Sequence, residues 1–344
     1  TVGIYMRQDL KIGDLDPGAP ELRPHSRYNQ DNAYMNGHYS ASSDLFVVML
    51  KTPREGNSEY SVVAATDKLD WLLTRLPGVQ TVKSHSDNLK LLNAAFSEGN
   101  LKWMALPRSK AGLSDMVLKV PLDFMTRGGY FTPILIYLDD HKAETLERVV
   151  ETVEEFAQEH NTETYQFIMA AGNAGIEAAT NIEVEKALIM LTLLVYAVVF
   201  LVCWVTYRDV RGALCVVTPL VLTSVLCEAL MAKMGIGVKV ATLPVIAVGV
   251  GIGVDYGIYI YNKLVYYRAK GLSLNSAYYQ TLNTTGRAVS FTGITMAIGV
   301  ATWFFSPIKF QADMGFLLLF MFLWNMVGAM VLLPAMARYL LKDK

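Results

Sequence analysis

Cysteine is nearly missing from this chain: three in 344 residues, Cys203, Cys215 and Cys227. None precedes residue 185, so the N-terminal half of the chain is built without disulfides. All three lie in apolar runs, where a thiol serves as small hydrophobic filler rather than a redox or metal group. Histidine is sparse too. His25, His38, His85, His141 and His160 are scattered, no two at metal-ligand spacing, and read as surface or loop residues. Charged residues make up 18% of the chain, below the roughly 25% of a soluble domain. The net charge of -1 gives no electrostatic case for nucleic acid. Catalytic signatures are absent: there is no G-x-S-x-G elbow and no phosphate-binding P-loop. Gly249, Gly251 and Gly253 are spaced by two and do not continue as G-x-G-x-x-G. The chain is therefore not expected to be an enzyme.

What it has instead is length of apolar sequence. Hydrophobic residues reach 53%, and from Ala187 onward they dominate. A membrane span needs about 20 mostly apolar residues. Five stretches qualify, at 187–206, 213–232, 240–262, 288–305 and 316–337. Backbone in lipid must satisfy its own hydrogen bonds, so each is read as a helix. The division expected is an outward region at 1–184 and a five-helix transmembrane domain at 185–344. Basic residues set the orientation. One side of the spans holds Arg208, Arg211, Lys263, Arg268, Lys270, Arg287, Arg338, Lys342 and Lys344; the other holds only Lys233, Lys239 and Lys309. The basic side is expected to be cytoplasmic, which puts residues 1–184 outside. No secretory signal is legible at the N-terminus, where residue 1 is Thr. The expectation is a longer polypeptide with a helix before this region; a separately processed subunit is the alternative.

Within the outward region, "DLFVVMLKT" (Asp44 to Thr52) reads as a buried strand. Ser58 to Leu76 has helical spacing and stops at Pro77-Gly78, and Val79 to Ser84 suits a second strand. The order recurs: Phe131 to Leu138 as strand, Ala143 to His160 as helix, Thr164 to Gly172 as strand. Two β-α-β units predict a split, ferredoxin-like sandwich. Residues 86–130 read as helix plus irregular loop. The acidic face of the second helix reads as solvated, and "DLDPGAPELRPHSRYNQD" as a surface loop. Ser273 to Arg287 predicts a short amphipathic cytoplasmic helix.

One residue breaks the apolar pattern. In "GVGIGVDYGIYIY" (Gly249 to Tyr261) a carboxylate, Asp255, stands inside the third span. A charged Asp at a span's centre costs about 2.5–3.5 kcal/mol on insertion scales. Asp255 falls about four residues past the midpoint of 240–262, roughly 6 Å at 1.5 Å per residue. A group that is neutral or charged at moderate cost suits proton binding and release, since a proton crossing 100 mV gains about 2.3 kcal/mol. A protonated Asp that merely bonds a neighbouring helix is the competing reading. Gly249, Gly253 and Gly257 form a small-residue stripe for close helix packing, and Gly251, Asp255 and Tyr259 share another. Ser290, Thr292 and Thr295 on the fourth span, and Asn325 on the fifth, are candidates to support Asp255, with helix-packing glue as their ordinary role. Glu228, about five residues from Lys233, reads as facing the outer boundary in a packing or snorkelling role.

"GIGVDYGIYIY" (Gly251 to Tyr261), in the third of five helices after an outward β-α-β region, resembles the resistance-nodulation-division (RND) superfamily. The branch is that of predicted exporters with MMPL-type domains, relatives of hydrophobe and lipid transporters and of sterol-sensing proteins. "KIGDLDPGAPELRPHSRYNQD" (Lys11 to Asp31) and "AAGNAGIEAATN" (Ala170 to Asn181) are similar to segments bounding the outward domain in that branch. The resemblance implies an α+β polytopic membrane protein, with a ferredoxin-like porter-type domain followed by five transmembrane helices. It implies that the chain is the C-terminal half of a proton-driven exporter of a hydrophobic or amphiphilic, lipid-like substrate. Asp255 and Tyr256 would be its proton-relay pair, facing an equivalent pair in the other half. No cofactor is expected beyond the proton as coupling ion. The partners implied are the N-terminal half of the same polypeptide, the lipid bilayer, a hydrophobic substrate, and an oligomer mate or periplasmic accessory protein. The setting implied is the bacterial inner membrane, multi-pass, with a large periplasmic domain. A sterol- or lipid-sensing receptor of the same architecture, without export, is the alternative; a scaffold subunit that tethers the outward domain is a third reading.

Overall fold

The computed structural model describes residues 2–39, 42–121, 124–126 and 128–340. Lys342 and Lys344, counted above with the basic side, lie outside the described residues. The chain divides into two compact units. One holds the described parts of Asp16–Ala19 and His25–Asn181; the other those of Thr1–Leu15, Pro20–Pro24 and Ile182–Lys344.

The first unit is built on a four-stranded antiparallel sheet. Its strands are β1 (Leu45–Lys51), β2 (Val79–Lys83), β3 (Phe131–Leu138) and β4 (Gln166–Ala171), in the order β2-β3-β1-β4. Alternation fixes the register. Val48 stands opposite Ile134 on one side and Met169 on the other, and Phe46, Val48, Leu50, Ile134, Ile136 and Leu138 all point to one buried face. Two helices cover that face, α3 (Tyr60–Leu73) and α6 (Ala143–His160). Leu69, Leu73, Leu146, Val149, Val153 and Phe156 recur at helical spacing and complete the core. Helix α4 (His85–Phe96) and helix α5 (Lys110–Val117) build a smaller core around Leu89, Leu113 and Val117. In the stretch expected to be loop, Arg27–His38 is a helix, here numbered α2. The reason is local: Ser26 caps it, its hydroxyl accepting from the Asn29 N–H at 3.3 Å, just after Pro24. Buried Asn29 also holds the Ala19 backbone, donating to its carbonyl and accepting from its N–H.

In the second unit, short helix α1 (Val2–Arg7) packs on α8 (Val210–Met234). The other helices are α7 (Asn173–Tyr207), whose residues up to Asn181 belong to the sheet unit, α9 (Leu243–Ala269), α10 (Leu274–Thr281), α11 (Arg287–Ala301), α12 (Lys309–Val327) and α13 (Leu333–Leu340). A π-turn at Leu282–Gly286 joins α10 to α11, and a second at Gly328–Leu332 joins α12 to α13. Among the described residues there are thus five continuous helical runs long and apolar enough to cross a membrane. They start or end near the five predicted spans, with one difference. The amphipathic segment expected to be separate continues directly into the fourth run, Leu274–Phe305, because Gly286 keeps helical dihedrals and no proline intervenes. Ends are set by ordinary signals. Asp209 caps α8 by accepting from the Arg211 N–H, and Gly235 ends it with φ of 67°. The architecture is that of a polytopic membrane protein carrying a small antiparallel sheet unit.

Two expectations change here. The N-terminal stretch, read as part of the outward region, packs with the apolar helices: Leu10 and Ile12 join the cluster around Val238, Val245 and Leu317. Glu228 turns inward rather than facing the outer boundary. Glu228 is buried, and Arg7 meets it at 2.5 Å.

Candidate functional site

Helix α9 positions the sequence's one unexplained acid. Its N-terminus is set by Pro244 in the first turn, after Thr242. The helix runs on to Ala269, beyond the predicted span, so Asp255 sits next to its midpoint rather than about four residues past it. The helix has two contrasting faces. Gly249, Gly253 and Gly257 lie on the buried one, where α8 and α12 press closest. A Cβ on Gly249 would meet Met321 at 2.5 Å, one on Gly257 would meet Val216 at 2.9 Å, and one on Gly253 would overlap the Asn325 amide and crowd Leu220 at 2.8 Å. No bulkier residue leaves room for these approaches.

Asp255 lies on the opposite face. With Val248, Gly251 and Tyr259 it follows a stripe exposed along the helix, and a Cβ on Gly251 would meet nothing within 4 Å. The carboxyl is thus aimed away from the chain's own helical core. Its neighbour Tyr256 turns inward and is only 2% exposed; its hydroxyl meets the sulfur of Met296 on α11 at 3.6 Å. The two adjacent groups bracket the boundary between packed interior and bare face.

The four supporting candidates divide. Asn325 is buried, and its amide donates to the Gly249 carbonyl at 2.8 Å, one turn and a half from Asp255 and on the other side of α9. Ser290 points its hydroxyl at the Met330 sulfur, 3.3 Å away. Thr292 and Thr295 are exposed on α11. None of the four hydrogen-bonds Asp255 among the described residues, so the structure brings Asn325 to the glycine stripe and leaves the acid without them. The expectation that they bond it across helices fails for a geometric reason. Spacing shows which residues share a helix face; it does not show which face the neighbouring helices cover.

Sequence reasoning missed a second polar set in the helices. Tyr196 on α7 donates to the Ser224 hydroxyl at 2.6 Å and reaches the Leu220 carbonyl at 3.3 Å, and Glu228 one turn further along α8 takes Arg7. The signal was present: Leu220, Ser224 and Glu228 share one stripe of α8 by the i, i+4 rule. What pointed at it from α1 was a lone arginine ending a six-residue helix, too little to read.

Chemically, the bare face offers one carboxyl at mid-helix depth, a phenol beside it and close-packed glycines behind. That arrangement can take up and release a proton, and it can pack against another helical surface. Comparison with known proteins places residues 124–342 in the MMPL family. No curated protein matches the chain.

Proposed function

The chain belongs to the MMPL family, and from that premise we propose that it is the C-terminal half of a proton-driven RND-type exporter of a hydrophobic or amphiphilic substrate. The observation that carries this reading is Asp255: a carboxyl at the middle of α9, on the face that the chain's own helices leave bare, beside a buried Tyr256. An acid there is costly to charge unless a partner surface supplies compensation. The bare stripe is where the other half of the transporter would bring its own acid and phenol. Two like acids close together cannot both ionise cheaply, so uptake of a proton changes how tightly the halves fit. The membrane helices rock in response, and the sheet unit, with its β2-β3-β1-β4 order, acts as a ferredoxin-like porter domain on the periplasmic side. The protein is a multi-pass membrane protein, and the bacterial inner membrane is the setting we propose.

The test uses the complete polypeptide in sealed vesicles with a pH dye inside and a fluorescent phospholipid analogue as cargo. Asp255→Asn should insert and bind normally yet lose proton-dependent flux by at least about a hundredfold, the lower end of general acid–base contributions. Full flux by this variant sinks the relay. Lipid binding by the unaltered protein with no flux under any gradient points instead to the sensing receptor.

A further inference from the structure

Residues 10–24 form a strap across two turns of the membrane unit. Its first part runs beside the α8–α9 turn. The Gly13 N–H donates to the Val238 carbonyl at 2.8 Å, the Val238 N–H donates to Lys11 at 2.9 Å, and Ile12 bridges Val238 in parallel. The approach is so close that Gly237 has no space for a side chain, because a Cβ there would overlap the Gly13 carbonyl. Lys239 then meets Asp14 at 2.6 Å, with side chains only 16% and 14% exposed. The same Lys239 backbone N–H donates to the Thr242 hydroxyl at 2.9 Å, and α9 begins at the next residue. The ion pair is therefore joined by one short hydrogen-bonded turn to the helix that carries Asp255.

The second part of the strap holds the α11–α12 turn. The Lys309 N–H donates to the Glu21 carbonyl at 2.8 Å, and Leu22 bridges Ile308. The Arg23 guanidinium donates to two carbonyls, those of Phe304 at 2.9 Å and Ser306 at 3.0 Å. Between the two parts, Asp16–Ala19 belong to the sheet unit, where Asn29 fixes Ala19 by two hydrogen bonds. The chain leaves the membrane unit, enters the sheet unit and returns, clamped on both sides of the excursion.

We infer that this strap is the transmission of the transporter, and that Asp14, Lys239 and Arg23 are positioning residues acting through it. The inference rests on the proton-driven reading above. A shift of α9 on protonation of Asp255 moves the α8–α9 turn. The largely buried ion pair resists being pulled apart, since separating its members would leave a charge poorly solvated. The pull passes along a few covalent residues into Asp16–Ala19 and α2. The Arg23 clamp keeps the other end of the strap fixed on the α11–α12 turn, so that motion of α9 bends the strap rather than dragging it whole.

Spin-label distances on the complete polypeptide in nanodiscs test this. Labels at Ile189 and Val240, both well exposed, follow the outer end of α9 against α7; labels at Val240 and Glu155 follow the sheet unit. Both distances should shift between about pH 5 and about pH 8 as populations change. In Asp14→Asn/Lys239→Gln the first shift should remain and the second should fall by more than half. The swapped pair, Asp14→Lys/Lys239→Asp, should restore it. A second shift that persists in the neutral variant overturns the inference. So does loss of both shifts without rescue by the swap, which would reduce the pair to a fold support. If Asp255→Asn leaves both shifts intact while the strap variants still separate them, the relay reading fails and the strap stands. If the unaltered protein shows neither shift, both fail.

Discussion

Gly251 and Gly253 stand two residues apart on α9 with opposite surroundings. A methyl on Gly251 meets nothing, whereas one on Gly253 runs into the Asn325 amide and Leu220. Gly251→Ala should leave stability unchanged or raise it slightly, since alanine favours a helix over glycine by up to about 1 kcal/mol. Gly253→Ala should cost about 1–3 kcal/mol through overpacking, read as a lower unfolding midpoint in mixed micelles. Equal effects at the two sites would contradict the two-faced helix. In the sheet unit, Asp70 shows what burial does to an acid. Burial first, then the charge of Asp87, outweighs the Ser84 hydroxyl bond at 2.6 Å, and the carboxyl is pushed up to about 6 from 3.8. The folded form holds its proton more tightly than the unfolded one, so this contribution is full below about pH 4 and is lost as pH rises through about 6. His85 works the other way: burial lowers its imidazole to about 4 from 6.5, so stability falls as pH drops between those values. Asp70→Asn should therefore match the unaltered protein near pH 4 and exceed it by about 1–2 kcal/mol above pH 7, a full shift of this size being discounted for solvent screening. Amide exchange protection of α3 and α4 measures it, and a variant less stable at pH 7.5 would refute the assignment. None of this was legible in the sequence. Asp255 was conspicuous because it stands inside a membrane span, but Asp70 lies on an ordinary amphipathic helix and owes its behaviour to burial and to Ser84 and Asp87, brought to it by the α3–α4 packing.

Elements with a strong period were legible. The four strands and the helices α3 and α6 fall where alternation and 3.6-residue spacing put them, and the five membrane runs follow from apolar length. What escaped were features set by a single capping residue or by a partner distant in the chain. Helix α2 depends on Ser26, and the continuity of Leu274–Phe305 on a glycine that stays helical. The seat of α1 depends on one ion pair. Arg7 meets Glu228 at 2.5 Å, and the Glu228 side chain is 3% exposed. Breaking such a pair strands a buried charge at a cost of about 3–5 kcal/mol, while replacing both members with apolar groups is often neutral or stabilising. Arg7→Ala should accordingly destabilise α8 strongly, and Arg7→Leu/Glu228→Leu should lie within about 1 kcal/mol of the unaltered protein. Unfolding in mixed micelles compares the two. If the single variant costs nothing, α1 is not anchored by charge; if the double variant is as damaged as the single one, the pair does more than hold α1.

At the scale of the molecule, the two units and their different chemistries were visible as a change of composition near residue 184, yet the sequence did not show the N-terminal strap crossing that divide. Its residues are turn formers and isolated charges, a pattern shared by any surface loop, and its partners lie some 225 residues away at Lys239 and further still at Phe304. The side expected to face outward carries Lys233, Lys239 and Lys309, and Lys239 is neutralised by Asp14 in a largely buried pair. The opposite side keeps Arg211, Lys263, Lys270 and Arg287 around the α7–α8 and α9–α10 turns, with Lys263 and Lys270 held 5.0 and 4.5 Å from the Tyr266 ring at an aromatic boundary. The orientation expected from the basic residues rests on their count, to which a neutralising acid such as Asp14 adds little. A single cysteine placed at Gly271, whose surroundings are open, should react with an impermeant maleimide only after the membrane is permeabilised. One placed at exposed Glu155 on α6 should react in intact cells. The three native cysteines are buried and should stay silent in both conditions. Labelling of Gly271→Cys in intact cells would invert the molecule, set the sheet unit on the cytoplasmic side and remove the porter role from it, whatever Asp255 does.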